Sequence, residues 1–186
     1  KKGILDHEFI ARHAVRALMI CTMAVNNETG VFQDLTAIEK VIRSKNTDVA
    51  WMVDCVQALG KTDLSLSKTT IDYAPFCGHK LYAPKGIGIL YIRKGSAYTP
   101  FIAGGGQESG MRSGTENLPG IAGLNKLFSL LLDKEDNVFK PIEQLDAYRK
   151  QLHAALVDTF GDITFNHRFA CSVPTTLNFA VNELTS

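Results

Sequence analysis

The chain has 186 residues, of which 45% are hydrophobic and 21% are charged, and its formal net charge is +1. This composition is typical of a globular chain that buries a core, so it excludes an intrinsically disordered protein. Because the charges are interspersed and nearly balanced, neither nucleic acid nor a membrane is expected as a partner.

The first elements follow an α/β pattern. Residues 16–25 are densely apolar without alternation, which predicts a strand that is covered on both faces of a sheet. Asp34 is a plausible N-cap for a helix that should end near residues 44–46. Residues 49–53 predict a second covered strand, which ends at Asp54.

Two further strands follow along the chain. Residues 73–76 predict a short strand, although Pro75 weakens it or places it at a strand end. Residues 86–93 alternate enough to predict a fourth strand. This order, with polar residues where the strands end, predicts a three-layer α/β/α mostly parallel sheet that binds ligands beyond the carboxyl ends of its strands.

The last third of the sequence is predicted to be helical and then to begin a smaller α+β domain. Residues 102–120 are rich in glycine and polar side chains, and they could be an ordered functional loop or a flexible one. The helical spacing that follows is interrupted at 133–137, so two helices or one kinked helix fit equally well. Residues 162–168 and 175–181 predict strands. We therefore expect a large domain over residues 1–117, connecting helices over 118–160 and the start of a small domain over 161–186.

The cysteines and the apolar runs bear on the cellular compartment. The four cysteines, which are Cys21, Cys55, Cys77 and Cys171, lie far apart and form no Cys-x-x-Cys pair. This spacing is typical of reduced thiols inside a cell and not of a disulfide framework or a structural zinc site. The longest apolar run is about half of the ~20 residues that a membrane-spanning helix needs, and no secretory signal is visible. We expect a cytoplasmic or organelle-matrix protein.

Several common site motifs are missing. Gly86 and Gly88 lack the third glycine of a dinucleotide-binding fingerprint, and they open a strand instead of a helix. No phosphate-binding loop of the Gly-Lys-Ser/Thr type occurs, so nucleotide binding is a weak alternative. The histidines are scattered, and His7 and His13 do not share a helical face, which disfavours a metal site.

Polar residues cluster where the predicted strands end, at Asn27, Asp54, Gln57, His79 and Lys80. A carboxylate at the end of a buried strand is costly unless a cation or a proton donor meets it, so we expect a positive group beside Asp54. A lysine flanked by apolar residues loses its proton more easily and becomes a nucleophilic amine, as Schiff-base chemistry requires. Taken singly, a capping Asp54 and a Lys80 that reaches solvent are the simpler interpretations. These residues alone leave both alternatives open.

Four segments in order carry a more specific signal: "MAVNNETG", "VDCVQALGK", "FCGHKLYAPKGIGILYIR" and "GGGQESGMRSGTENLPGIAGL". Together they resemble the cysteine desulfurases of the nitrogen-fixation and iron–sulfur-cluster type, which are class V aminotransferases with the type I fold of pyridoxal-phosphate enzymes. The matching segments run from about residue 17 to residue 125. The resemblance implies an enzyme that uses pyridoxal 5′-phosphate to convert L-cysteine into alanine and an enzyme-bound persulfide.

The resemblance also assigns roles to individual residues. Lys80 matches the lysine that holds the cofactor covalently and moves the substrate's Cα proton. Asp54 matches the carboxylate that pairs with the pyridine nitrogen, while Gln57 and Asn27 match residues near the 3-oxygen of the ring.

The remaining assignments concern the cofactor's phosphate. His79 matches a phosphate contact, and Cys77 stands where the family usually carries serine, although a thiol is a weaker donor than a hydroxyl. Thr115 matches a residue that reaches the phosphate of the neighbouring subunit. The resemblance therefore implies a homodimer with shared sites.

Family members are considerably longer than this chain, which has no match for their nucleophilic cysteine loop, their ring-stacking histidine or their substrate-binding arginine. We therefore expect a central fragment that cannot complete a turnover by itself. A scaffold protein that accepts the sulfur is an implied partner. Selenocysteine lyase or another class V lyase is one alternative, and a non-catalytic module for partner binding or dimerisation is another.

Overall fold

The computed structural model describes residues 3–133 and 142–182. Its helices and strands are, in chain order, α1 (His7–Ala14), β1 (Met19–Met23), α2 (Leu35–Lys45), β2 (Ala50–Asp54), β3 (Tyr73–Cys77), β4 (Gly88–Ile92), α3 (Leu118–Leu132), α4 (Ile142–Phe160), β5 (Ile163–Phe165) and β6 (Phe179–Val181).

A four-stranded sheet in the order β1-β2-β3-β4 forms the centre of the fold. Strands β1, β2 and β3 run parallel, and β4 pairs antiparallel with β3. The predicted mostly parallel α/β fold is therefore confirmed. Strands β5 and β6 form a separate antiparallel pair, which confirms the two strands predicted near the end of the chain.

The helix before β2 forms as predicted. Oδ1 of Asp34 accepts a hydrogen bond from the backbone N–H of Ala37 at 2.9 Å, which is the geometry of an N-cap, and α2 ends at Lys45. No pattern predicted α1. Its start carries the same signal, because Oδ1 of Asp6 accepts from the N–H groups of Glu8 and Phe9.

Pro75 does not lie at a strand end, as one of the two alternatives proposed, but in the middle of β3. Its carbonyl oxygen accepts from the N–H of Cys55 at 3.2 Å on the β2 side. Since the N–H and C=O of a strand residue point to the same neighbour, the missing N–H costs a bond to β2 alone. The pairing with β4, where Pro75 lies opposite Leu90, stays intact.

The two faces of the sheet differ in burial. Trp51, Val53 and Ala74 point to the face that packs against Ile38 and Ile42 of α2, and these side chains form the main core. Apolar burial on this face is the main source of stability in the described chain.

The other face is open in the described part of the chain. Met19 is 46% exposed, Met23 is 38% exposed and Leu90 is 50% exposed, and Cys21 is exposed as well. The prediction that β1 is covered on both faces is therefore wrong for these residues. The apolar run of β1 is buried on one face only, because its alternate side chains are exposed in the described part of the chain.

Hydrogen bonds between its own residues hold the predicted loop over residues 102–120. The N–H of Gly105 donates to Oγ of Ser113 at 2.8 Å, and that hydroxyl donates to the carbonyl oxygen of Gly105 at 3.1 Å. Ser113 is buried, so these bonds satisfy its hydroxyl. The loop ends where α3 begins, at Leu118.

The end of α3 and the start of α4 flank the predicted helix break. Helix α3 ends at Leu132, and most of the interruption at 133–137 lies outside the described residues. The predicted division of the chain at residues 117 and 160 stays a prediction.

A buried arginine attaches α4 to the rest of the fold. Nη1 of Arg149 donates to Oγ and to the carbonyl oxygen of Ser172, and to the carbonyl oxygen of Val173. The N–H of Val173 in turn donates to the carbonyl oxygen of Gly30 at 2.9 Å, in the turn after β1. The C-terminal segment therefore packs beside the loop that leaves β1.

Candidate active site

The carboxyl ends of the three parallel strands meet at one edge of the sheet. Met23 at the end of β1 pairs in register with Asp54 at the end of β2. Strand β3 ends at Cys77, and a tight turn over Gly78–Leu81 follows it directly. The predicted polar cluster therefore lies at the edge where parallel α/β sheets bind their ligands.

Close packing holds the turn that carries Lys80. A Cβ atom at Gly78 would lie 2.9 Å from Cγ2 of Ile87 and 3.1 Å from Cδ2 of Leu124, so a larger residue would have to displace these side chains. Leu81, at the other end of the turn, is buried in the cluster formed with α3. Packing against these side chains accounts for a glycine at this position.

Lys80 is exposed, as the simpler interpretation of its sequence context has it, and its role toward a cofactor stays a prediction. Leu81 points inward, whereas Lys80 and Tyr82 point outward, and Tyr82 is 88% exposed. Apolar neighbours along the sequence do not surround the amine, because successive residues of a tight turn face different directions. The expectation of an apolar environment for Lys80 is wrong in the described chain.

Lys80 lines a cleft of about 970 Å³, which we call the lysine cleft. Gln57, Lys61 and His79 line it too, and so does Lys126 of α3. Clefts of this size hold ligands as large as common cofactors. The structure therefore brings Gln57, His79 and Lys80 together, as the sequence predicted.

Lys61 is a site residue that the sequence analysis missed. Its Nζ donates to Oε1 of Gln57 at 2.5 Å. Burial lowers the pKa of Lys61 below its ordinary value, and the neighbouring charge of Lys80 lowers the pKa further. The available signal was the spacing of four residues between Gln57 and Lys61, which places two polar side chains on one side of a helical turn.

The proposed site residues outside the lysine cleft differ in their surroundings. Asp54 is exposed, and its Oδ1 accepts from the N–H of Val56 at 2.9 Å, so the simpler capping interpretation is correct for this oxygen. No positive group among the described residues forms a salt bridge with Asp54. Its carboxylate does not need one, because it is exposed and water can hydrate it. Its Oδ2 accepts no hydrogen bond from them.

Asn27 and Thr115 do not line the cleft either. Asn27 is exposed and its Nδ2 donates to Oε1 of Glu28 at 3.1 Å, while Asn26 shapes the turn by accepting from two N–H groups. Thr115 is exposed on the loop that precedes α3. The roles of both residues toward a cofactor stay predictions.

Cys77 and His79 form a thiol–imidazole pair at the end of β3. The distance from Sγ to Nδ1 is 2.9 Å. When Nδ1 carries no proton, the imidazole is placed to accept the thiol proton, which is the arrangement of a thiol nucleophile with a base. Cys55 is the opposite case, because burial and the charge of Asp54 raise its pKa to about 12.

We expect iodoacetamide to alkylate Cys77 fastest and Cys55 slowest, as measured by peptide mass spectrometry over time. His79→Gln should slow Cys77 several-fold, because the base that takes the thiol proton during attack is lost. Cys21 is the internal reference, since it is exposed and lies far along the chain from His79. An unchanged ratio of the Cys77 rate to the Cys21 rate in His79→Gln would contradict the pairing.

Residues 3–133 and 142–182 show neither a metal site nor a membrane-spanning helix. No cluster of three or more His, Cys, Asp or Glu side chains there could hold a metal ion. Nor does this part of the chain contain a helix with the length and hydropathy to cross a membrane.

Comparison with known sequences adds independent evidence. The family described as aminotransferase class V matches residues 3–186. The chain is 39% identical over 160 residues to a cysteine desulfurase of Nostoc sp., covering 86% of this chain and 39% of that protein. It is also 39% identical over 163 residues to the cysteine desulfurase IscS of Rickettsia prowazekii, covering 85% of this chain and 39% of that protein. The resemblance found in the four segments is confirmed.

Solved structures agree with this result. A NifS-like protein superposes with a TM-score of 0.85 at 33% identity, covering 98% of this chain and 49% of that one. A NifS-like protein from Rickettsia africae superposes with a TM-score of 0.87 at 25% identity, covering 98% of this chain and 50% of that one. The chain thus spans about two fifths of these curated relatives and about half of these solved structures. From its sequence and its fold alike, the chain belongs to the class V aminotransferase family.

Proposed function

We propose that this chain is the part of a pyridoxal-phosphate-dependent cysteine desulfurase that carries the cofactor-binding lysine. The observation that carries the proposal is that Lys80, Gln57 and His79 line one cleft beyond the carboxyl edge of the sheet. Its sequence relatives are cysteine desulfurases at 39% identity. The substrate would be L-cysteine, and the products alanine and a protein-bound persulfide that serves iron–sulfur cluster assembly or thio-modification.

The residues present fit pyridoxal phosphate. Its aldehyde needs an accessible amine, and Lys80 supplies an exposed one that lines a cleft. Its ring nitrogen needs a carboxylate oxygen, and Oδ2 of Asp54 accepts no other bond from the described residues. Its phosphate needs hydrogen-bond donors, which Cys77 and His79 can provide. When bound, the cofactor supplies an electron sink for the charge that develops on the substrate's Cα.

The residues near the ring of the cofactor would have separate roles. Lys80 would hold the cofactor and move the proton at the substrate's Cα. Asp54 would keep the ring nitrogen protonated, since a carboxylate beside that nitrogen stabilises its positive charge. Gln57 and Asn27 would donate to the 3-oxygen of the ring.

The phosphate end of the site would use the remaining residues. Cys77 and His79 would donate to the phosphate, with the weaker thiol donor at position 77. Thr115 would reach the phosphate of a second copy, so the working form would be a homodimer. The thiol that attacks the substrate's sulfur cannot be Cys55, because burial holds its proton in place.

The proposal includes partners and a compartment. A scaffold protein would accept the sulfur after each turnover. The described thiols are all free, which fits a reducing compartment such as the cytoplasm or an organelle matrix.

The proposal is tested by adding pyridoxal phosphate and then L-cysteine in deuterium oxide to the purified chain. We expect a visible absorbance band that survives gel filtration and a deuterium atom at Cα of the recovered cysteine. The proton moves because Lys80 and the cofactor act on it without any attacking thiol. A colourless chain would favour a non-catalytic module, and a preference for selenocysteine in the same assay would favour a selenocysteine lyase.

A further inference from the structure

The segment after β2 places Gln57 and Lys61 on one side of a helical turn. The N–H of Leu59 donates to the carbonyl oxygen of Cys55 at 3.3 Å, and the N–H of Thr62 donates to that of Ala58 at 3.0 Å. Side chains four residues apart in such a turn are neighbours. The backbone therefore brings the two side chains within reach of each other, and Nζ of Lys61 donates to Oε1 of Gln57.

The chemistry of the two groups determines which end of the Gln57 amide faces the lysine. An ammonium group has three donors and no acceptor, so the amide atom 2.5 Å away must be the carbonyl oxygen Oε1. The amide nitrogen is then left at the other end of the group. Gln57 lines the lysine cleft, and its amide nitrogen donates to no other described residue.

The contact with Gln57 stabilises the ammonium group of Lys61. It is half-buried, and both its burial and the charge of Lys80 disfavour its ammonium form. A partly buried ammonium group is stabilised by an acceptor, and Oε1 of Gln57 is that acceptor. The positive charge also polarises the amide, which strengthens its N–H groups as donors.

We propose that Lys61 is a positioning residue that holds Gln57 with its amide nitrogen presented to an anionic oxygen of the ligand in the lysine cleft. The inference rests on the proposed function, in which that oxygen belongs to the ring of pyridoxal phosphate. Without Lys61 the amide of Gln57 loses the donor that fixes its oxygen, so this oxygen can turn toward the anion in place of the nitrogen. Lys61 would thus act through Gln57 without contacting the ring itself.

The first test uses the chain without cofactor. In a sample labelled with ¹³C and ¹⁵N at glutamine, the side-chain signals of Gln57 are assigned by their loss in Gln57→Leu. We expect Lys61→Met to shift these signals, while Lys61→Arg, which keeps a cationic donor, leaves them nearer to the original position. Lys126→Met is the matched control, because Lys126 lines the same cleft and makes no hydrogen bond with Gln57. Unchanged Gln57 signals in Lys61→Met would overturn the proposal.

The second test measures the dissociation constant of pyridoxal phosphate for a double-mutant cycle. Lys61→Met should weaken binding by at least about tenfold, the effect of one hydrogen bond to a charged group. In the Gln57→Leu background the same change should have little further effect, because the two residues act as one unit. Additive losses would mean that Lys61 acts on the ligand directly and would overturn the positioning role.

The two tests separate this inference from the proposed function. If no variant or wild-type chain binds pyridoxal phosphate, the proposed function fails, and the glutamine signals still decide whether Lys61 orients Gln57. If the cofactor binds but the signals do not respond to Lys61→Met, the proposed function stands and the positioning role is wrong.

Discussion

Replacing Lys80 by methionine is expected to abolish covalent capture of pyridoxal phosphate by the chain. Methionine keeps a similar length and removes the amine, so the carbonyl group of the cofactor has no partner at this position. The measurement is the mass of the intact chain after pyridoxal phosphate and borohydride, followed by peptide mapping. Lys80→Arg should fail as well, because a guanidinium stays protonated at all accessible pH values.

The strongest rival for the cofactor is Lys61 and not a remote surface lysine. Its lowered pKa gives it a larger neutral fraction than an ordinary lysine has at the same pH. Against this, its ammonium form is engaged with Gln57, and its side chain is partly buried, whereas Lys80 is exposed. Peptide mapping that places the adduct on Lys61 in the unmodified chain would contradict the assignment, and Lys126→Met is the control that should leave capture unchanged.

The sequence predicted the elements whose signals are local. The apolar run of β2 and the cap at Asp34 depend on neighbouring residues alone, and the structure confirms both. The position of the polar cluster was also predictable, since parallel strands must bring their carboxyl ends to one edge. The family resemblance added the identity of the lysine, which no periodic pattern could supply.

Other features depend on contacts that sequence spacing does not show. Whether Lys80 is buried depends on how the turn at Gly78 packs against Leu124 of α3, which lies far along the chain. The attachment of α4 through Arg149 depends likewise on carbonyl groups at Ser172 and Val173. An apolar run also shows that a strand can be buried without showing how many faces are covered, which is why the prediction for β1 was wrong.

Trp51 provides the sharpest test of this difference between the two faces of the sheet. Its side chain is fully buried against α2, and its Nε1 donates to Oγ1 of Thr22 at 3.0 Å. Trp51→Ala should lower the free energy of unfolding by about 3–5 kcal/mol, the usual cost of an aromatic-to-alanine change in a core. Because small domains have only about 5–15 kcal/mol of stability, urea unfolding should show a large fall in midpoint.

Leu90→Ala is the matched control on the opposite face. Leu90 lies in the same sheet but is 50% exposed, so its loss should cost less than about 1 kcal/mol in the same urea titration. The ratio of the two effects measures how unequally the sheet is covered in solution. Equal losses would mean that the face of Met19 and Leu90 is buried in solution, for instance against a second copy of the chain, and sedimentation at the same concentrations would then detect that copy.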